Sequence, residues 1–260
     1  MQTCRSKKLG KLIQKAQEKV DYFLAEMNDR LASILVAVGA FCSAVVAHEL
    51  LIVGNWSLLW WYFVGTILMM VLASAFYHRY VCHKTWECPE WLRIPFALVS
   101  GGLGLAPLIQ WCAIHRQHHA HPDVEGDAHG PQFSLWHNLM VSFIPPRLMY
   151  VRDLLRDDLY RAQYKYYVPL SVIAAGAFIA LFGFAEWCFV YITMVGHQVA
   201  SVYTGHWKWF PQNHVLAAVY SPEIYHKQHH NDARSARLGL VDIPYWLVIQ
   251  WFPHNAGSRG

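Results

Sequence analysis

Residues 31–77 and 169–203 contain no lysine or arginine, and both stretches are strongly apolar. Runs of this kind narrow the fold more than any other feature of the chain, because crossing a bilayer core of about 30 Å takes roughly 20 apolar helical residues. The break at Gly54-Asn55 divides the first stretch into Leu31 to Val53 and Trp56 to Tyr77, and a turn near Gly183 to Glu186 divides the second. Four crossings are therefore predicted, at about 31–53, 56–77, 170–185 and 187–203. The 21 Lys and Arg fall into three groups, seven in residues 1–30, nine in 78–168 and five in 204–260. Under the positive-inside rule both termini and the central segment are cytoplasmic, and only the turns near Glu49 to Asn55 and Gly183 to Glu186 face outward. The expected fold is an all-α integral membrane protein: four transmembrane helices with a helical cap on the cytoplasmic side. An N-terminal cytoplasmic stretch, 1–30, precedes a single membrane domain, 31–260.

Composition agrees with this pattern. The chain is 55% hydrophobic and 15% charged, against about 25% charge in ordinary soluble domains, which argues against a water-soluble globule. Its 12 Trp, 14 Tyr and 13 Phe exclude disorder. The apolar stretch Leu92 to Trp111 is long enough to span, yet it holds Arg93, Pro95, Gly101, Gly102, Gly104 and Pro107. A fifth crossing there would also put the C-terminal basic stretch outside, so it is read as a partly buried or interfacial cytoplasmic segment. In the N-terminal stretch Leu12, Ala16, Val20, Phe23 and Met27 recur at helical spacing among lysines, which suits either an interfacial helix or a solvated tail. No secretory signal is expected, since about 30 largely polar residues precede the first apolar run. Six scattered cysteines without a CxxC pair suggest no disulfide framework.

Sixteen histidines are the other anomaly. They cluster as His78-Arg-Tyr-Val-Cys-His83, His115-Arg-Gln-His118-His119 and His226-Lys-Gln-His229-His230, with His197 near the end of the fourth crossing. On a helix, residues at i, i+3 and i+4 project within one sector, so each HxxHH box presents three imidazoles to one small volume. His78 and His83 fall about 140° apart on an ideal α-helix; they bracket a metal, serve two metals, or are brought together by a helix end. The predicted topology puts all nine on one membrane face. Nine neutral imidazoles suit borderline transition metals such as iron, zinc or copper, and they are too many for one ion. His197 at membrane depth supports a ligand role there. His48, His137, His206, His214 and His254 are read as ordinary core or surface residues, with His206 a reserve ligand.

These residues resemble the membrane fatty-acid desaturases, the acyl-CoA type with three histidine boxes, over most of the chain. Box two extends as in the family through Asp123, Asp127 and His129, and box three reads Glu223-Ile-Tyr225-His226-Lys-Gln-His229-His230. The family takes a further ligand histidine 29 residues before box three, where His197 stands, but Thr193 replaces the companion asparagine. Ala113 stands where many animal enzymes carry a CoA-contacting arginine, so box two looks more like bacterial members.

The resemblance implies two iron ions held by His78, His83, His115, His118, His119, His197, His226, His229 and His230. Asp123, Asp127, His129, Glu223 and Thr193 would stand behind these ligands, and Arg116 and Trp111 would lie near a substrate head group. It further implies a cis double bond made with O2 and two electrons in a fatty acyl chain, carried by CoA or by a lipid. Electrons would come from a donor such as ferredoxin or cytochrome b5 with its reductase, in a bacterial inner membrane or endoplasmic reticulum; no nucleic-acid partner is expected. Parts of Trp60-Trp61-Tyr62-Phe63 line an acyl tunnel or face lipid. A hydroxylase of the same histidine-rich superfamily needs the same ligands, and a non-enzymatic metal transporter is the remoter alternative.

Overall fold

The computed structural model describes residues 34, 37–141, 147–206 and 213–255, and among them it is helical with no β-strand. The N-terminal stretch 1–30 lies outside the described residues. Helix α1 (Ala37–Val53) ends at Gly54, whose φ of 75° is the left-handed conformation a side chain resists. The chain then reverses into α2 (Trp56–Cys82), which contains no proline and is the one described helix long and apolar enough to cross a membrane by itself. Its last fourteen residues, Met69–Cys82, are π-helical.

Residues 92–111 do not form one straight helix. Helix α3 with its tight final turn (Glu90–Leu103) meets α4 (Leu108–Ala120) at 89°. The bend follows from the sequence: Gly104 takes φ 91°, and Pro107 precedes the first residue of α4, a position where proline has no intrahelical bond to lose. A similar 83° bend separates α6 (Asp158–Lys165) from α7 (Tyr167–Phe182). Between these pairs lies the short α5 (Leu135–Met140). Gly183, at φ 115°, then turns the chain into α8 (Phe184–His206). The C-terminal part comprises α9 (His214–Val219), α10 (His226–Asn231) and α11 (Ile243–Leu247).

Four of these helices, α1, α2, α7 and α8, overlap the four predicted crossings. Among the described residues, α2 alone is long and apolar enough to cross a membrane by itself; up to three spans reach that length and composition if each bent pair, α3 with α4 and α6 with α7, counts as one. Helix α2 also runs five residues past its predicted end at Tyr77, and that extension carries His78.

Packing between apolar helices in lipid rests on close contact rather than on leaving water. Helix α2 lies so near α8 that a Cβ on Gly65 would stand 2.9 Å from the Thr193 Cβ. A Cβ on Gly102 would meet the Ala174 Cβ and the Ala175 backbone nitrogen at 2.6 Å. Phe76, Tyr77, Leu105, Leu108, Ile109 and Met194 form the centre of the main core, where α2, α4 and α8 converge. Leu51, Ile52, Trp60, Phe63, Val172 and Leu181 face outward, as lipid-facing side chains do.

Candidate metal centre

Three elements carry the histidine boxes to one place. In a π-helix residue i bonds to i+5, so residues five apart stack on one face. The His83 N–H donates to the His78 carbonyl at 3.2 Å, and the two rings sit 5.1 Å apart, so π-winding removes the 140° separation an α-helix would give them. Box two lies on α4 and box three on α10.

The boxes divide in a regular way. His78, His83, His115, His119 and His229 form one group, and His118, His226 and His230 form a second, with the ligand atoms of each group within 4.8 Å of one another. On an α-helix residues at i and i+4 lie about 40° apart, while i+3 lies about 100° from i+4. His115 and His119 therefore share the first group and leave His118 to the second. In box three His226 and His230 share the second group and leave His229 to the first.

The geometry inside the first group fits a metal ion better than hydrogen bonding. His229 Nε2 lies 2.8 Å from His78 Nε2, 3.2 Å from His83 Nε2 and 3.1 Å from His119 Nε2, while His83 Nε2 and His115 Nε2 are 2.9 Å apart. One ring nitrogen has a single proton or a single lone pair and cannot satisfy three such neighbours. Imidazoles bound at right angles to one ion at ~2.1 Å place their nitrogens about 3.0 Å apart. Across the second group His118 Nε2 and His230 Nε2 are 3.0 Å apart. Burial, then the adjacent imidazoles, hold His83 and His229 well below the usual histidine range, which keeps them in the neutral form that binds metal.

Carboxylates stand behind the ligands. His118 Nδ1–H donates to Asp127, whose two oxygens each lie 2.9 Å away, and the same carboxylate accepts the backbone N–H of Asp123 at 2.8 Å and of His129 at 3.2 Å. Burial alone would raise the Asp127 carboxyl, but His118 and these N–H groups bring it below the usual carboxylate range. Asp123 itself is exposed and contributes its backbone, at a left-handed φ of 58°. His129 stacks on His118 with ring centres 4.5 Å apart. Glu223 serves both groups: Oε1 accepts from His78 Nδ1 at 3.0 Å, and Oε2 lies 3.6 Å from His226 Nδ1. Burial pushes the Glu223 carboxyl up, yet His78, His226 and Arg79 together hold it well below its ordinary value. Such partners fix ring orientation and tautomer.

Three of the expected site residues make other contacts in the structure. His197 does not join either group; its Nε2 faces the Thr66 hydroxyl at 3.1 Å, and its ring stacks on Tyr220 at 4.6 Å. Thr193 Oγ1 donates to the Phe189 carbonyl one turn back in α8, at 2.8 Å, rather than facing the histidines. Arg116 has no donor left for a head group, because its five N–H bonds go to the carbonyls of Val81, Cys82 and Tyr150 and to both oxygens of Asp153. It clamps the end of α2 instead. Trp111 stacks on His115 at 5.1 Å. The side chain of His206 lies outside the described residues.

Beside the histidines opens a cavity of ≈ 520 Å³, with apolar walls from α1, α2, α5 and α8, reaching His78, His115 and His226. None of residues 60–63 lines it: Trp60 and Phe63 face outward, and Trp61 packs on Phe178 and Phe182. Sequence reasoning missed Ser74, Arg79 and Asp242, which lie behind Glu223. The one available signal was Arg79 following His78 directly.

No family model matches the chain. It is similar to delta-9 acyl-lipid desaturase 2 of Arabidopsis thaliana, 26% identical over 82% of this chain and 78% of that protein. It is similar also to the sn-2 palmitoyl-lipid 9-desaturase of Nostoc sp. (strain 36), 28% identical over 66% of this chain and 70% of the relative. A third is the sn-1 stearoyl-lipid 9-desaturase of Anabaena variabilis, 27% identical over 67% and 72% of the two chains. Three histidine boxes gathered at one cavity and these relatives together make the chain similar to the membrane fatty-acid desaturases.

Proposed function

We propose that the protein is a di-iron desaturase that introduces a cis double bond into an acyl chain carried by a membrane lipid. The observation that carries this reading is the meeting of two histidine groups at the end of an apolar cavity. Its volume is within the range of small-molecule sites. Bound to these histidines, two iron ions with O2 would supply the oxidising power to take two hydrogens from adjacent methylenes, leaving a double bond and water.

The chain's own residues do the rest. His78, His83, His115, His119 and His229 would hold one ion, and His118, His226 and His230 the other, with Asp127 and Glu223 keeping the rings turned toward the metals. Met69, Ala73, Ile114, Leu135 and Val199 hold an extended hydrocarbon chain against the site and exclude water from it. A site at the cytoplasmic face is the reading that four crossings and the positive-inside distribution of Lys and Arg support.

A lipid carrier is preferred to CoA on two grounds. The described cavity lining contains no lysine or arginine to meet CoA phosphates, and the relatives above are named as acting on acyl-lipids. Desaturation is preferred to hydroxylation because those names are of desaturases. The test is expression in a host lacking the activity, with lipids separated by class before mass spectrometry. New chains two mass units lighter, found first in intact glycerolipids, dependent on O2 and absent in His118→Ala, are the expected result. Chains sixteen units heavier, or products found first on CoA, would refute the reaction or the carrier respectively.

A further inference from the structure

Behind Glu223 runs a chain of buried polar groups that reaches the C-terminal segment. Ser74 Oγ donates to Glu223 Oε1 at 2.5 Å and accepts from Arg79 Nη2 at 3.0 Å. The other terminal nitrogen of Arg79 donates to Asp242 Oδ2 at 2.8 Å and to the Ala236 carbonyl at 3.1 Å. Arg79 and Asp242 are both 0% exposed. Asp242 is held in turn by the backbone N–H groups of Leu238 and Tyr245, at 2.7 and 3.2 Å.

A fully buried ion pair is a costly way to tie two segments together, since apolar packing would do it as well or better. Its position suggests what it is for. Glu223 lies within reach of His78 in the first histidine group and of His226 in the second, and the strength with which it accepts their ring protons sets how strongly both imidazoles donate to metal. We infer that Asp242, Arg79 and Ser74 form a relay that positions Glu223 and through it tunes both metal sites at once. These are positioning residues: none has an atom in either histidine group. Arg79 is suited to the task because its planar fork reaches Ser74 with one nitrogen and Asp242 with the other, a geometry lysine cannot reproduce. Asp242 lies 163 residues after Arg79, and the relay makes the segment around it part of the metal site rather than a passive tail.

The inference rests on reading the histidines as metal ligands, and the test separates the two. The full chain in lipid nanodiscs is titrated with Co²⁺ alone, following stoichiometry, affinity and the visible ligand-field bands. Wild type is expected to bind two ions; binding none would overturn the ligand reading and the relay with it. Ser74→Ala leaves the Arg79–Asp242 pair intact and should weaken Co²⁺ binding roughly tenfold, with band shifts from both sites. Combined with Glu223→Gln, it should add nothing to the loss caused by Glu223→Gln alone. Asp242→Asn, where the chain folds, should act in the same direction, and its effect should shrink in the Ser74→Ala background. Independent, multiplying effects, or wild-type affinity in Ser74→Ala, would refute the relay.

Discussion

Asp127→Asn is the substitution that separates the two metal sites most cleanly. Its carboxylate meets His118 Nδ1 with both oxygens at 2.9 Å, and His118 belongs to the three-histidine group only. The amide keeps the shape and one acceptor but loses the charge that favours a strongly donating imidazole. Losing a carboxylate behind a metal-bound histidine typically lowers affinity 10–100-fold, about 1.4–2.7 kcal/mol. Asp127 also holds the backbone N–H groups of Asp123 and His129, and weakening hydrogen bonds to a charged acceptor costs about 1.5–3 kcal/mol of local stability in the 121–130 turn. The assay is a metal titration of the purified chain with Co²⁺ or Fe²⁺ at limiting concentrations. One ion should bind with wild-type affinity and the second 10–100-fold more weakly, whereas Glu223→Gln should weaken both. Parallel loss of both ions in Asp127→Asn, or unchanged binding, would refute the division of the histidines into groups of five and three.

Other consequences are checked by simpler measurements. Arg116→Met removes five hydrogen bonds from the end of α2 and should lower unfolding free energy by about 1–3 kcal/mol while leaving the Michaelis constant for substrate unchanged; a raised constant at full stability would restore a head-group role. Gly102→Ala drives a methyl into Ala174 and the α7 backbone and should cost about 1–3 kcal/mol by overpacking, read as a lower melting temperature. The metal-free protein should lose stability as pH falls. His83 and His229 are held neutral when folded, so below about pH 6.5 the unfolded chain takes up protons that the folded chain refuses. Glu223 and Asp153, depressed when folded, add a further loss below about pH 4.5, and a melting temperature that rises on acidification would contradict the buried neutral cluster.

Much of the site was legible because it depends on short-range periodicity. Two HxxHH boxes on helices already bring six imidazoles to two faces, and box-two Asp127 sits within one loop of its partner His118. The refinement that i and i+4 fall in one group while i+3 joins the other also follows from helix geometry, once two groups are known to exist. What was not legible is non-local or lies in unusual winding. Nothing in Met69 to Cys82 announces a π-helix, yet that winding is what puts His83 beside His78. His197 has the expected spacing from box three, but spacing along a chain does not say where α8 turns it, and Thr66 and Tyr220 hold it apart. Arg79 reads as one more cytoplasmic cation until the fold buries it against Asp242. The bends at Gly104 to Pro107 and at Tyr166 were foreshadowed by glycine and proline in the first case and by nothing evident in the second.

The account stands most directly on the metal content of the purified protein. It predicts two irons per chain in an all-nitrogen environment, with iron–nitrogen distances of ~2.1 Å by X-ray absorption, and one iron remaining in His118→Ala. One iron in the wild type, sulfur in the coordination shell, or a chain that binds no iron while its fold is intact would contradict it.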